Sequence, residues 1–477
     1  MAVSARMGAK VRSLRRRQRL TQTELADQLG ISASYLNLIE HNRRPLTAPL
    51  LIKLARLFDV DVTRFAAEED EQLASELMEA FADPLFDEHN LTAHDVRDLV
   101  TQHPAAGRAV LALYAAFVES RDQRLAKGAQ PDAEGPGEAL SLPSEEVSAM
   151  LQRHLNHFPG LEVVAEDIRA KARLTDDDVS RGLTAYLEGT LKVRVRVRTV
   201  QDMRGAVRRY DRTHHELWLS EVLAPRSRNF QLAHQCGLLA AREVISALVD
   251  EAPELTSDAS KRLARISLAN YLASAVIMPY DAFLHAARQE RYDIELLGHR
   301  FRSSFEQVCH RLTTLRRPGH AGVPFHLIRV DIAGNISKRF SASGIRFARF
   351  SGACPRWNVH AAFTTPGRIR VQISEMPEGE RFFCMARTVQ RGAAGYHASH
   401  TVHAIGLGCR VEDAGALVYA DGLDLTHGNA VRVGVSCRLC PRLDCEHRAM
   451  PPLKSPLEVD EDVRGLSFYA PASIHDP

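Results

Sequence analysis

The chain is 477 residues long, 45% apolar and 25% charged, and its 61 Lys/Arg against 59 Asp/Glu leave a net charge of only +2. One hydrophobic core cannot serve that length, so about two to four domains are expected. The first ten residues, MAVSARMGAK, hold no apolar core for export and no run of about eighteen uncharged apolar residues occurs, which argues against a signal-led or membrane-spanning protein and makes the cytoplasm the expected compartment.

Charge is unevenly spread. Residues 1–66 carry 12 Lys/Arg against 5 Asp/Glu, whereas residues 67–100 carry 11 acids and one base, Arg97. The basic end is the candidate nucleic-acid end, and the acidic stretch reads as a solvated face. Val11 to Arg19 predicts a first helix whose RSLRRRQR run is solvated or faces phosphate. Leu25, Ala26 and Leu29 then recur at the spacing of one buried helical face, with Thr21 as N-cap and Glu24 three residues later. Gly30 stops that helix, because glycine enters the left-handed region without steric cost. A second helix, capped by Ser32, runs to about Glu40 with Leu36 and Ile39 inward and Ala33, Ser34, Tyr35, Asn37 and Leu38 wholly or partly outward. Small and polar outward side chains suit a major groove, and the following Asn42, Arg43 and Arg44 suit phosphates. Leu46 to Phe65 supplies closing helices. The stretch resembles the Xre/lambda-repressor type of helix-turn-helix, with Gln22, Gly30, Tyr35 and Glu40 at that family's characteristic positions. The expected DNA-binding residues are Gln22, Ser32, Ala33, Ser34, Tyr35, Asn37, Asn42, Arg43 and Arg44.

Residues 67–126 predict further helices, from Leu73 and from Ala105; the latter is apolar enough to bury two faces and is a candidate dimerisation segment. Lys127 to Ser141, rich in Gly, Pro and Ala, reads as a linker. Helices are expected near 144–158, 161–172, 175–187, 230–248, 259–278 and 301–315, and strands near 191–200, 207–210 and 216–219. The segment FQLAHQCGLLA stands where a zinc peptidase carries H-E-x-x-H, which needs two histidines one turn apart and a glutamate beside the first. Only His234 fits; Gln235 cannot ionise and Leu238 cannot bind metal, so no catalytic residues are expected. The surroundings resemble the ImmA/IrrE family, a peptidase-like fold.

From Gly322 the composition changes to alternating strands and turns, with Gly334-Asn335 as a tight hairpin turn. Eight cysteines in a reducing compartment are not structural disulfides, so any that cluster point to metal or redox chemistry. The run CRLCPRLDC brings Cys437, Cys440 and Cys445 together, with Cys409 upstream as fourth thiol and Cys354 as a substitute; Cys236, Cys309 and Cys384 lie in apolar surroundings and read as core. Four thiolates suit a cubane [4Fe-4S] cluster or a tetrahedral zinc, the latter with His447 as a further donor. The cluster is the expectation and Zn2+ the alternative.

The head, a peptidase-like middle without its active site, and the tail motifs GVPFHLIRVDIAGNISKR, CPRWNVH and GLGCR through SCRLCPRLDCEHRAMPP together resemble the RamB/PrpR type of short-chain acyl-CoA transcriptional regulators. One departure is GVSCRLCPR, where relatives often carry an acidic residue after the second cysteine. The resemblance implies control of acetate, propionate, glyoxylate or methylcitrate metabolism, an acyl-CoA effector, and in some relatives an iron-sulfur cluster. For such an effector, Arg329, Lys338 and Arg339 are the expected phosphate contacts, and Phe325, Trp357 and Tyr280 the expected lining of an acyl pocket. The fold expectation is a multidomain α+β protein: an all-α lambda-repressor-like head (1–66), a helical connector and linker (67–141), a degenerate zincin-like α+β domain (142–320) and a mixed α/β sensor domain with a cysteine metal site (321–477). Its expected partners are an operator in double-stranded DNA, a CoA thioester and a second copy of the chain. A metallopeptidase and an antitoxin-type protein-binding module are the rival readings.

Overall fold

The structure, a computed structural model, describes residues 11–12, 15, 20–40, 44, 47–57, 68–81, 83, 85–86, 91–126, 143–175, 178–348, 353–392, 400–426 and 428–451. The chain divides into two compact units, Met1–Ala139 with Ala348–Ser351, and Leu140–Phe347 with Gly352–Pro477. The linker expected at Lys127 to Ser141 lies outside the described residues.

In the first unit, helix α1 (Gln22–Leu29) opens on a capping box: Glu24 N donates to Thr21 Oγ1 at 3.2 Å and Thr21 N donates to Glu24 Oε2 at 2.7 Å. Gly30 ends it at φ 71° and ψ 38°, the left-handed turn that glycine makes freely. Helix α2 (Ala33–Glu40) starts where Tyr35 N donates to Ser32 Oγ at 3.1 Å, and α3 (Ala48–Leu57) follows. Val11, Leu25, Leu29, Leu36, Ile39 and Leu54 are buried together, so the apolar spacing of the sequence becomes one small core. A second core gathers Leu73 and Leu77 of α4 (Glu68–Ala80), Val96 and Val100 of α5 (Ala93–Gln102), and Leu111 and Tyr114 of α6 (Pro104–Ala126).

The second unit is α+β. Its helices are α7 (Pro143–Arg153), α8 (Pro159–Lys171), α9 (Val179–Gly189), α10 (Pro225–Ala240), α11 (Arg242–Asp250), α12 (Asp258–Ile277), α13 (Tyr280–Gln289), α14 (Ile294–Arg300) and α15 (Phe305–Thr313). The single helix expected over 230–248 is instead the pair α10 and α11, bent by 73°. Among the described residues no single helix is long and apolar enough to cross a membrane. Strands β1 (Arg194–Arg198), β2 (Arg208–Asp211) and β3 (Glu216–Ser220) form a sheet in the order β1-β3-β2, with β1 parallel and β2 antiparallel to β3. A second sheet takes the order β5-β4-β8-β7-β6-β9 from β4 (His326–Asp331), β5 (Ile336–Ser341), β6 (Arg370–Glu375), β7 (Arg381–Gly392), β8 (His400–Arg410) and β9 (Val431–Arg432). All its pairings are antiparallel except β6 with β9.

One face of that sheet, with Leu327, Ile373, Phe383, Met385, Ile405 and Leu407, shares a single hydrophobic core with α8, α10, α12 and α15. Packing therefore runs through the border expected at 320/321. Inside this core the fully buried Arg311 of α15 grips Glu162 of α8 through two hydrogen bonds of 2.7 and 2.9 Å, and Tyr271 of α12 donates to the same carboxylate at 2.5 Å. Burial alone would raise the Glu162 carboxyl, but Arg311 outweighs it and holds the group below the usual range.

Candidate functional site

Three places carry the chemistry anticipated from the sequence. In the head, Ser34 and Asn37 of α2 are exposed, whereas Ala33 and Tyr35 lean partly on the core. Gln22 Nε2 donates to Glu40 Oε2 at 2.7 Å, and Asn37 Nδ2 donates to Gln22 Oε1 at 3.4 Å. The two amides are thus held in a line that ends on a buried carboxylate. Glu40 is in turn gripped by Arg15, at 2.6 and 3.0 Å. Arg44 is exposed; Asn42 and Arg43 lie outside the described residues.

The peptidase-like helix is α10. His234 is 3% exposed and Gln235 2% exposed, and the Arg208 guanidinium of β2 donates to His234 Nδ1. Burial, reinforced by Arg208, pushes His234 down to about 3, so the ring is neutral. A cation thus occupies one of the two ring nitrogens through which a histidine can bind metal. Gly237 lets α10 approach α12 closely, since a Cβ there would lie 2.8 Å from Leu272 Cδ2.

The third place is the outer face of the six-stranded sheet. His326, Ile328, Ile345, Phe347, Trp357, Asn358, Val359, Ser374, Cys384, Gly406, Leu407 and Val433 line a pocket of roughly 360 Å³ of atom-free space, part of it open to solvent. Glycines of β8 let this lining close in: a Cβ on Gly406 would lie 2.5 Å from Val359 Cγ1 and one on Gly408 2.5 Å from His326 Nε2. Of the three side chains expected around an acyl group, Trp357 lines this pocket. Phe325 and Tyr280 do not: Phe325 is packed on Tyr292 in the core, and the Tyr280 hydroxyl donates to His320 O at 3.0 Å. Each of the expected phosphate contacts has an internal partner. Arg329 pairs with Glu306 at 3.1 Å, Arg339 pairs with Glu145, and Lys338 Nζ stands 3.4 Å from His310 Nε2. The Arg329 and Arg339 guanidinium groups are thus each offset by a carboxylate.

Beside the pocket lies the cysteine loop, tied down by arginines. Arg448, 4% exposed, donates to the carbonyls of Cys437 at 2.6 Å, Cys440 at 2.8 Å and Arg442 at 2.6 Å. Arg442 ties the loop to β6 through Glu375 O at 2.9 Å, and Arg432 grips Asp444 at 2.7 and 3.2 Å. Trp357 Nε1 donates to Gly434 O at 3.0 Å and Cys354 N to Val435 O at 3.2 Å. Cys354 is therefore the upstream thiol of this loop: burial raises it, and Cys437 and Cys440 raise it further. Cys409, the expected fourth ligand, is elsewhere. Strand alternation points it with Ile405 and Leu407 into the helical core, opposite the face on which Gly406 and Gly408 admit Val359 and His326. Its thiol is raised by burial, with Asp413 and Cys384 as its charged or thiol neighbours.

The donor set at the loop is all sulfur, which fits a thiophilic metal or cluster. Among the described residues no three ligating side chains converge closely enough to hold one metal ion. His326, Ser343, Arg208 and Arg448 were not singled out by sequence reasoning. Nor was Cys384 as a pocket residue, since it reads as core. The one signal was GLGC, in which glycines alternate on a strand, a pattern that marks close approach of other groups.

Three family models match the chain: a helix-turn-helix over residues 11–65, an IrrE N-terminal-like domain over 188–313, and the C-terminal domain of the short-chain fatty acyl coenzyme A regulators over 314–469. The chain is 42% identical over 471 residues to a propionyl-CoA carboxylase regulator of Cereibacter sphaeroides, covering 98% of this chain and 99% of that one. It is 39% identical over 468 residues to the HTH-type transcriptional regulator RamB of Mycobacterium tuberculosis (97% and 98% covered) and 37% identical over 471 residues to PrpR of the same organism (97% and 95% covered). A solved Mycobacterium tuberculosis transcriptional regulator superposes with a TM-score of 0.66 at 38% identity, covering 69% of this chain and all of that one.

Proposed function

The chain belongs to the RamB/PrpR-type family of helix-turn-helix transcriptional regulators, and from that membership we propose that it is a sequence-specific DNA-binding regulator of short-chain acyl-CoA metabolism whose effector is a CoA thioester. The observation that carries the reading is the pairing, in one chain, of a capped helix-turn-helix with exposed Ser34 and Asn37 and a small pocket inside the acyl-CoA regulator domain. The α2 face reads bases and Arg44 contacts phosphate, while the acyl end of the effector lies under Trp357. The protein acts as a homodimer. Helix α6 supports this, since its Leu113 is 70% exposed on an otherwise apolar stretch and a two-fold dimer matches two half-sites.

The test is fluorescence anisotropy on the promoter fragment upstream of its own gene, at low salt, with and without acetyl-CoA and propionyl-CoA. Saturable binding whose affinity moves with acyl-CoA supports the reading; no binding to any promoter fragment in either condition refutes it. Cys354, Cys437, Cys440 and Cys445 hold an iron-sulfur cluster in this reading, with zinc as the alternative, and the bound group would make the loop responsive to oxidants. Protein purified without oxygen should be brown, with iron and sulfide in proportion. Cys354→Ser should lose the metal whereas Cys409→Ser keeps it; the reverse result, or a colourless zinc protein, would overturn the cluster assignment.

A further inference from the structure

One row of residues in register crosses the six-stranded sheet: His326 on β4 faces Gly408 on β8, Gly408 faces Cys384 on β7, and Cys384 faces Gln372 on β6. Strands stand about 4.8 Å apart, so a histidine and a cysteine two strands apart are normally kept separate by the side chain between them. Here that position is glycine. A Cβ on Gly408 would lie 2.5 Å from both Cε1 and Nε2 of His326, so the imidazole occupies the space a side chain would take. It thereby brings Nε2 to 3.7 Å from the Cys384 Sγ, while Nδ1 lies 2.8 Å from Ser343 Oγ. Ser374, which accepts from Gln372 Nε2 at 2.9 Å, also hydrogen-bonds the Cys384 sulfur. His326 is 3% exposed, Ser343 3% and Ser374 1%, and His326, Ser374 and Cys384 all border the pocket.

Burial keeps both partners neutral, pushing the imidazole down to about 3 and the thiol up to about 12. A protonated thiol beside a neutral ring donates to Nε2, which leaves Nδ1 to carry the ring proton toward Ser343. Nucleophile, proton acceptor and orienting hydroxyl then stand in sequence, and because burial disfavours a resting thiolate and imidazolium, the thiol gives up its proton only as its sulfur bonds to the incoming carbon. Among the described residues Cys384 is the cysteine with a hydrogen bond to an imidazole.

Resting on the reading that a short acyl thioester is the effector, we infer that Cys384 is an acyl acceptor, so that the protein records its effector as a covalent thioester. The Cys384 sulfur attacks the thioester carbonyl carbon as its proton passes to His326 Nε2. The bond from that carbon to the CoA sulfur then breaks, and the imidazolium returns the proton to the leaving CoA thiolate. Acyl-CoA and a cysteine thiol become S-acyl-Cys384 and free CoA, with no oxidant, reductant or water consumed. One thioester is exchanged for another, so the reaction is reversible and the acylated fraction follows the ratio of acyl-CoA to CoA. The protein is then a stoichiometric acceptor without turnover. Gly406, Ile328 and Val359 bound the space left for the acyl chain, which limits it to a short one.

The test incubates the full-length protein with propionyl-CoA and, separately, with the propionyl thioester of N-acetylcysteamine, which lacks the nucleotide. Intact mass and peptide mapping should show one propionyl group on Cys384, released by neutral hydroxylamine and by excess CoA. His326→Asn should slow its appearance at least tenfold, and Cys384→Ser should abolish it. Because the adduct is mapped on the unaltered chain, a variant that fails to fold does not obstruct the result. If propionyl-CoA shifts operator affinity yet leaves no adduct on Cys384, the acceptor role is wrong and the effector reading stands. If the small thioester labels Cys384 but CoA esters neither label nor affect DNA binding, the acceptor stands and the effector reading falls. Labelling confined to other cysteines, or absent with both reagents, overturns the inference.

Discussion

Glu40 shows how one side chain sets the shape of the DNA-binding head. It is 2% exposed, it accepts from Arg15 and Gln22, and Arg12 stands 3.8 Å away. Burial raises its carboxyl, but the Arg15 and Gln22 hydrogen bonds outweigh that and hold it below the usual carboxylate range. Glu40→Gln leaves Arg15 without its anion and loosens the Gln22–Asn37 line, so the head should lose roughly 3 kcal/mol, the lower end for a broken buried pair because Arg12 is near solvent. Urea unfolding followed by circular dichroism checks the loss, and operator binding should weaken with it. The acid response follows from the same kind of argument with the sign worked out. A carboxyl with a lowered value contributes stability above its ordinary 4.5 and loses it as pH falls through the lower folded value. His326 and His234 behave differently: their folded values near 3 lie below the ordinary 6.5, so the unfolded chain takes up protons first and stability declines as pH drops below about 6.5. Both tryptophans, Trp218 and Trp357, lie in the second unit, so their fluorescence should report acid weakening there at a higher pH than the head shows.

At the scale of elements the glycines separate two kinds of constraint. Gly30 sits at φ 71° with nothing nearer to an added Cβ than Lys53 Nζ at 3.8 Å, so Gly30→Ala should cost about 1 kcal/mol, the backbone penalty alone. Gly408 has an ordinary strand backbone, yet a Cβ there would also lie 2.5 Å from the Phe383 carbonyl oxygen, an atom that cannot rotate away. Gly408→Ala should therefore cost roughly 1–3 kcal/mol and displace the His326 ring; unfolding midpoints, with imidazole chemical shifts, would show whether both happen. The same contrast explains what was legible beforehand. The turn at Gly30, the cap at Thr21 and the strand over RVRVR are local, and each follows from neighbours a few residues away. Strand β8 is not legible in the sequence because two of its residues are glycines, and the value of Gly408 lies in partners 82 and 24 positions upstream, His326 and Cys384. Cys409 lies apart from the cysteine loop for a related reason: spacing brings a thiol near in sequence, but the two-residue alternation of a strand decides which face it joins.

For the whole molecule, the proposed regulation is a coupling between ligands on separate units, and such a coupling obeys reciprocity. The helix-turn-helix belongs to one compact unit and the pocket to the other, each with its own core. An acyl-CoA can alter operator affinity only by binding one arrangement of the protein better than another, and whatever factor it imposes on DNA binding, DNA must impose on it. If saturating propionyl-CoA changes operator affinity tenfold, the affinity for propionyl-CoA measured by calorimetry should change tenfold, in the same direction, when operator DNA is added. Cys384→Ser permits the measurement at binding equilibrium without acyl transfer, and unrelated DNA of equal length should leave the acyl-CoA affinity unchanged. An operator effect without its reciprocal would mean that acyl-CoA acts outside the binding equilibrium, by an irreversible loss of the dimer or of the fold, since a reversible change in either would itself be reciprocal; sedimentation of the protein after exposure to propionyl-CoA and its removal would show that loss directly.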